Sequence, residues 1–279
     1  EPTAQIIHDC VTFDGQPVAL SPRNVLKRIL ALYAAEGWQP VIAPEMEFYL
    51  VQIEPDEDIP LKPPTGRTRR SEPGMQSFSI ESVDEYGEVF DVMYDWCEKQ
   101  GIQLDTLVHE MGTAQMEINL DHGEALSRAD QVVRFKRTVR EVAIRNQMYA
   151  TFMAKPMQGQ PGSAMHLHQS VIDLTTGGNL FSRPDGEASD HFLHFIGGLQ
   201  AFLPAATAFF APYVNSYRRL SRFTSAPINL SWGHDNRTCG LRVPRSGPEA
   251  RRIENRLAGV DANPYLVFAA SLACGYLGM

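Results

Sequence analysis

Glu45-Met46-Glu47-Phe48-Tyr49-Leu50 alternates between a polar group and hydrocarbon. In an extended chain successive side chains point to opposite faces, so Glu45 and Glu47 share one side of a strand while Met46, Phe48 and Leu50 share the other. The same period of two recurs three times. Gln115-Met116-Glu117-Ile118-Asn119-Leu120 sets Gln115, Glu117 and Asn119 on its polar side. Met165-His166-Leu167-His168-Gln169-Ser170-Val171 does so with His166, His168 and Ser170, and Arg252-Ile253-Glu254-Asn255-Arg256-Leu257 with Arg252, Glu254 and Arg256. Paired in one antiparallel sheet, these distant segments would make a polar face that is a site and an apolar face that packs against helices. The pattern predicts an α+β fold rather than a doubly wound parallel one.

The helices are marked by their ends. Ser21-Pro22 ahead of Val25, Leu26, Ile29, Leu30 and Tyr33 reads as an N-capped amphipathic helix with proline at its first position, stopped by Gly37. Helical spacing recurs in Val89, Val92, Met93 and Trp96 up to Gly101, from about Leu126 to Met153, and after Asn263-Pro264. Residues 52 to 80, with Pro55, Pro60, Pro63, Pro64, Gly66, Pro73 and Gly74, read as a long loop. No internal repeat is visible.

With 279 residues, 43% of them hydrophobic, the chain can bury a substantial core as one large domain or two small ones. Its 25 basic and 33 acidic residues give a net charge of −8, which offers no overall footprint for nucleic acid or anionic lipid. Any anionic substrate must be held by local basic groups. Cys10, Cys97, Cys239 and Cys274 lie far apart without a CxxC pair, the pattern of reduced thiols in a cytoplasmic protein. No apolar run long enough to span a bilayer is apparent, and Glu1-Pro2-Thr3 lacks a basic segment ahead of an apolar one. Neither a membrane partner nor a secretory leader is expected, and the sequons at Asn229 and Asn236 carry no weight.

Hard divalent cations such as Mg2+ and Mn2+ take several oxygen ligands, and Mn2+ also accepts imidazole. Glu45, Glu47, Glu110, Glu117, Glu254 and His166 supply that mixture. Gathered without cations or arginines, so many carboxylates would repel one another strongly. Arg219, Arg237, Arg242, Arg252 and Arg256 stand in the last quarter among prolines, glycines and short strands, suited to holding phosphate oxygens. Metal and arginine together are what phosphoryl transfer uses, because its transition state is handled by positioning and charge neutralisation. Neither a Walker A loop nor GxGxxG is present, so the phosphates of ATP would be held by metals and side chains. Each feature alone has an ordinary explanation. A Glu-x-Glu strand is usually a solvated face, His-x-His can be two partly buried structural histidines, and arginines around Arg251 can form surface ion pairs. Trp232 and Tyr265 read as packing residues.

Order adds what single features lack. Ala43-Pro44-Glu45-Met46-Glu47-Phe48, Gly162-Ser163-Ala164-Met165-His166-Leu167-His168-Gln169-Ser170, and Asn215-Ser216-Tyr217-Arg218-Arg219-Leu220 resemble successive signature blocks of glutamine synthetase. So do Asp235-Asn236-Arg237-Thr238 with Leu241-Arg242-Val243-Pro244, and Arg252-Ile253-Glu254-Asn255-Arg256 through Asn263-Pro264-Tyr265-Leu266. The resemblance spans nearly the whole chain and implies that family's catalytic domain over residues 1–279, with a curved antiparallel sheet. It places one metal on Glu47, Glu110 and Glu117 and a second on Glu45, His166 and Glu254. It gives His168 and Ser170 to the nucleotide, and Arg237, Arg242 and Arg252 to its phosphates. Gly162, His166, Arg219 and Arg256 fall to the substrate glutamate, with Arg237 and Arg256 as the catalytic pair. The implied cofactors are ATP and Mg2+ or Mn2+. The implied chemistry is phosphorylation of the γ-carboxylate followed by attack of an amine on the acyl phosphate. The implied assembly is a ring-shaped homo-oligomer with active sites at subunit interfaces.

Two departures bear on the amine. Ser225 stands six residues after Arg219, where ammonia-using members carry a flap glutamate, and Pro161 stands where asparagine is usual before the Gly-Ser-x-Met-His block. Ammonium needs a compact anionic cage, whereas a larger amine brings an apolar body and needs room. Arg219-Leu220-Ser221-Arg222-Phe223, with Ala226-Pro227-Ile228-Asn229-Leu230 and Gly233-His234-Asp235-Asn236-Arg237-Thr238, is most similar to the γ-glutamylputrescine (polyamine) synthetase branch. The expectation is a γ-glutamyl amide ligase for putrescine or another bulky amine. Its alternatives are an ammonia-using glutamine synthetase, a non-catalytic structural member of the fold, and a metal-dependent hydrolase, which would leave the arginines without a task. The family's N-terminal β-grasp domain and its last C-terminal helices are expected to lie outside this stretch.

Overall fold

A computed structural model describes residues 3–54, 56, 58–72, 74–222 and 225–279. Glu1, Pro2, Pro55, Pro73 and Phe223, which entered the reading of the chain start, the long loop and the flap block, lie outside the described residues.

Ser21 opens α1 (Pro22–Ala35), and Gly37, at φ 75°, turns the chain into β1 (Trp38–Gln52). Pro40 and Pro44 count against a central strand, so the sequence marks only 45–50; both nonetheless lie within β1. After the long loop come α2 (Ile80–Asp84), capped by the Ser79 hydroxyl, and α3 (Gly87–Lys99), followed by Gly101 at φ 66°. β2 (Leu104–His109), β3 (Gln115–Leu120) and the two-residue β4 (Gly123–Glu124) precede α4 (Ala125–Arg145). The predicted helix to Met153 stops early. Gln147 adopts φ 59°, and 148–151 become β5 (Met148–Thr151), which pairs with β1 from Tyr49 to Gln52. β6 (Met165–Asp173) leads to α5 (Asp190–Phe210), a helix the sequence reading does not contain. There follow α6 (Val214–Arg219), β7 (Trp232–His234), β8 (Leu241–Val243), β9 (Ile253–Asn255) and α7 (Pro264–Gly278). The segment read as a strand from Arg252 to Leu257 is thus a strand only at its centre. Asn263 caps α7 through Leu266 N–H, as its Asn-Pro start predicts.

The strands form one sheet in the order β2-β3-β1-β6-β9-β8-β7, with β4 and β5 also on β1. Every described pairing is antiparallel except β7 with β8, which is parallel, so the sheet is mixed and mostly antiparallel. Met46, Phe48, Ile118, Met165 and Leu167 on its apolar face are fully buried, in one core with Val132, Phe135 and Val139 of α4. Burying each such side chain contributes about 1.5–3 kcal/mol.

α5 corrects one expectation, because by length and composition it is apolar enough to cross a membrane. It packs against α7, with Phe192, Phe195, Ile196, Leu199 and Leu203 buried. Glycines let the two backbones meet: a Cβ on Gly198 would lie 2.2 Å from the Cys274 carbonyl oxygen.

Candidate active site

Strand register assembles the polar face. Glu47 lies opposite Glu117 of β3, and Glu45 lies between Asn119 of β3 and His166 of β6. His168 lies opposite Glu254 of β9, and Glu254 opposite Arg242 of β8. Directly opposed residues have Cβ atoms about 4.5–5.5 Å apart, so five strands deliver acids, imidazoles and a guanidinium to one patch.

The side chains interlock there. His166 Nδ1 is 3.0 Å from Glu45 Oε2, 3.7 Å from Glu254 Oε1 and 3.9 Å from Glu47 Oε1. His168 Nε2 is 2.6 Å from the other Glu45 oxygen, while its Nδ1 accepts from Arg252 Nε at 3.1 Å. Those two contacts suit the tautomer that carries its proton on Nε2. Glu254 is fully buried and pairs with Arg242, at 2.7 Å, and with Arg256. Glu47 accepts from the Ala164 N–H at 2.8 Å and from Gln115 at 3.4 Å. Arg219 is buried and donates to the carbonyl oxygens of Leu257 and Arg256, at 2.8 and 3.0 Å. Its guanidinium thus fixes the backbone after β9 while placing positive charge near Glu47.

Burial, with the charge of Glu110 next, pushes the Glu47 carboxyl up to about 8. Burial, followed by the charges of Glu45, Glu47, Glu110 and Glu254, pushes Glu117 to about 10. Burial also raises Glu110. Burial opposes ionisation of Glu45, but hydrogen bonds from His166 and His168 outweigh it and hold that carboxyl well below the ordinary range. Glu254 is likewise lowered against its burial by His166 and Arg256. These acids cannot all ionise together without added positive charge.

The donor set fits divalent cations. One ligand atom each from Glu45, Glu117 and His166 lie within 4.8 Å of one another, as do those of Glu45, His168 and Glu254. The two groups share Glu45 and divide the donors differently from the expected sets: His168, expected at the nucleotide, stands with Glu45 and Glu254. Oxygen donors with one imidazole suit Mg2+ or Mn2+.

Two cavities meet over this patch. The larger, about 1040 Å³, is lined by Glu45, Glu47, Glu110, Glu117, His166 and Glu254, and also by Gly162, Arg219, Arg237, Arg242 and Arg256. The smaller, about 460 Å³, takes in His168, Ser170 and Arg252 and shares Glu45, Asn119 and Arg242 with the first. All fourteen expected site residues therefore line one cavity or the other. The reading of the sequence missed Glu72, whose carboxylate accepts from the Ala114 N–H at 2.7 Å and lies 3.0 Å from His109 Nε2. His109 Nδ1 in turn lies 2.8 Å from the Glu110 carbonyl oxygen, so this buried pair braces the turn carrying Glu110. Glu72 sits in a proline-rich stretch without periodicity and gives no signal in the sequence.

A mostly antiparallel sheet thus carries an acid and imidazole face beside arginines. Residues 19–279 match the model of the glutamine synthetase catalytic domain, and the chain belongs to the glutamine synthetase family. It is 38% identical over 271 residues to γ-glutamylputrescine synthetase PuuA of Escherichia coli (strain K12), covering 96% of this chain and 57% of that protein. It is also 38% identical over 266 residues to glutamine synthetase of Pyrococcus abyssi (strain GE5 / Orsay), covering 95% and 58%. A ligand-free structure of GmaS superposes with a TM-score of 0.83 at 33% identity, over 95% of this chain and 60% of that one. An ADP complex of GmaS gives 0.83 at 32%, with the same coverage. The chain thus spans somewhat under two thirds of the length of these relatives.

Proposed function

We propose that this domain is the catalytic part of an ATP-dependent ligase that joins the γ-carboxylate of glutamate to an amine larger than ammonia, putrescine or another bulky amine. The observation that carries the reading is the register-locked meeting of Glu45, Glu47, Glu117, His166 and Glu254 beside Arg242 and Arg256. Mg2+ or Mn2+ held by Glu45, Glu47, Glu110, Glu117, His166 and Glu254 would neutralise phosphate charge where the two anionic substrates meet.

The smaller cavity, with His168, Ser170 and Arg252, takes the nucleotide and directs its γ-phosphate toward the shared wall at Arg242. ADP bound to the related GmaS supports a nucleotide here. Glutamate occupies the larger cavity near Gly162 and Arg256, and Arg237 at its exposed side adds charge for the transferring group. A γ-carboxylate oxygen attacks the γ-phosphorus and ADP leaves. The amine nitrogen then attacks the acyl phosphate carbon, the C–O bond to phosphate breaks, and the amine gives up a proton. Holding both partners in one cleft replaces bimolecular encounters with oriented ones.

Ser225 lines the larger cavity and is exposed, so the flap position offers a hydroxyl rather than a carboxylate. That favours an acceptor other than ammonium. The similarity to a Pyrococcus glutamine synthetase supports the second reading, ammonia as acceptor. The family resemblance further supports a cytoplasmic, ring-shaped homo-oligomer. Glutamate-dependent ADP release by the full-length protein, with Mg2+ or Mn2+ and a panel of amines, tests the proposal. Turnover should be faster in kcat/KM with a bulky amine than with ammonia. Turnover best with ammonia would move the assignment to glutamine synthetase, and no glutamate-dependent turnover with any amine would reject both.

A further inference from the structure

Resting on the ligase reading, we infer that Asp261 is a positioning residue: through Ser216 it seats α6, and with it Arg219 and the Arg256 backbone that Arg219 holds. α6 has only six residues. A helix that short does not hold its shape by itself, so its place comes from what its side chains grip. Ser216 and Arg219, three residues apart, lie on one face, and both are buried, at 2% and 3% exposure. That face is held twice by one stretch of chain. At the C-terminal end of α6, Arg219 donates to the carbonyl oxygens of Arg256 and Leu257. One turn earlier, the Ser216 hydroxyl accepts from the Tyr213 N–H at 3.0 Å and donates to Asp261 Oδ2 at 2.6 Å.

The stretch that carries Asp261 is itself anchored. The Met165 N–H donates to the Ala258 carbonyl oxygen at 3.0 Å, the Gly259 N–H to that of Phe210 at 3.0 Å, and the Val260 N–H to that of Ser163 at 3.1 Å. Lys136 of α4 donates to the carbonyl oxygens of Val260 and Ala262, on either side of Asp261. Gly259 makes room for the carboxylate, since a Cβ there would lie 2.5 Å from Asp261 Oδ1. Capping α7 does not require Asp261, because Asn263 does so. Burial disfavours the charged forms of Lys136 and Arg219, and the Asp261 charge opposes that effect at both. Asp261 lines neither cavity over the acid patch, so its route to the substrate runs through α6. What it positions are Arg219 and Arg256, the residues that the ligase reading gives to glutamate.

The test uses the full-length protein, with KM for glutamate and KM for ATP as separate readouts, each taken well below the Tm of the variant measured. Ser216→Ala and Asp261→Ala should each raise KM for glutamate about tenfold, short of the roughly 100-fold that a shift of about 1 Å costs, while KM for ATP holds. The double variant should be no worse than the larger single one, because both remove the same contact. Asp261→Asn keeps an oxygen for the Ser216 hydroxyl and should recover most of the loss. Ser216→Ala carries the measurement if Asp261→Ala does not fold. Gly198→Ala, at the contact of α5 with α7, controls for lowered stability and should leave KM for glutamate where it is. An unchanged KM for glutamate in Ser216→Ala, additive losses in the double variant, Asp261→Asn as impaired as Asp261→Ala, or an equal rise in Gly198→Ala would each overturn this inference while wild-type turnover left the ligase reading standing. No glutamate-dependent ADP release by the wild type would sink the ligase reading itself.

Discussion

Glu254 has both carboxylate oxygens committed, one toward Arg242 and one toward Arg256, at a position with no exposed surface. Removing one partner of such a buried pair leaves uncompensated charge, so Glu254→Gln should lose about 3–5 kcal/mol in urea denaturation of the metal-free domain. Gly162 is constrained differently: a Cβ there would lie 2.6 Å from the Ala154 carbonyl oxygen and 2.6 Å from Arg219 Cγ. Gly162→Ala must move Arg219 and the backbone it holds, and kcat/KM for glutamate should fall by roughly 100-fold, the cost of misplacing a positioning group by about 1 Å. An unchanged value would remove Gly162 and Arg219 from the substrate site. The acids themselves were readable, because alternation alone puts Glu45 and Glu47 on one side of their strand and Glu117 on the polar side of its own. The bond from His168 to Glu45 and the commitment of Arg219 to two carbonyls were not, since they depend on which strands become neighbours and in what register.

Helix and strand ends followed local chemistry where that chemistry was strong, at Ser21-Pro22, Gly37, Gly101 and Asn263-Pro264. Reading failed where tertiary pairing overrode it. Pro40 and Pro44 hid the first half of β1, and helical spacing ran past Gln147 into residues that instead complete an edge beside β1. α5 went unread although its meeting with α7 depends on specific glycines. A Cβ on Gly198 would come 2.2 Å from the Cys274 carbonyl oxygen, and one on Gly278 2.1 Å from that of His194. Backbone cannot yield as a flexible side chain can, so Gly198→Ala should cost about 1–3 kcal/mol and lower Tm measurably in a thermal melt. A melt indistinguishable from wild type would mean the helices are packed more loosely than described.

The whole domain stores electrostatic tension that a cation can release. Glu47 and Glu117, held at about 8 and about 10 against an ordinary value of 4.5, bind protons more tightly folded than unfolded. Between pH 4.5 and about 8 the folded state therefore carries the extra proton, and the metal-free domain loses stability as pH rises through that window. Metal binding requires these ligands deprotonated, so the stabilisation given by Mn2+ should grow as pH rises from about 6 to about 8. At a free concentration of 100 times Kd the gain is about 2.7 kcal/mol. Melts with and without Mn2+ at both pH values check the sign, and a gain that shrinks with pH would contradict it.

Whether separate strands converge to hold cations is tested most directly by titrating Mn2+ into the metal-free protein by calorimetry, in parallel with Glu45→Gln. Because Glu45 belongs to both donor groups, wild type should bind close to two ions per chain and the variant should be weakened at both. No binding by the wild type, or equal binding by the variant, would contradict a shared metal centre on this face.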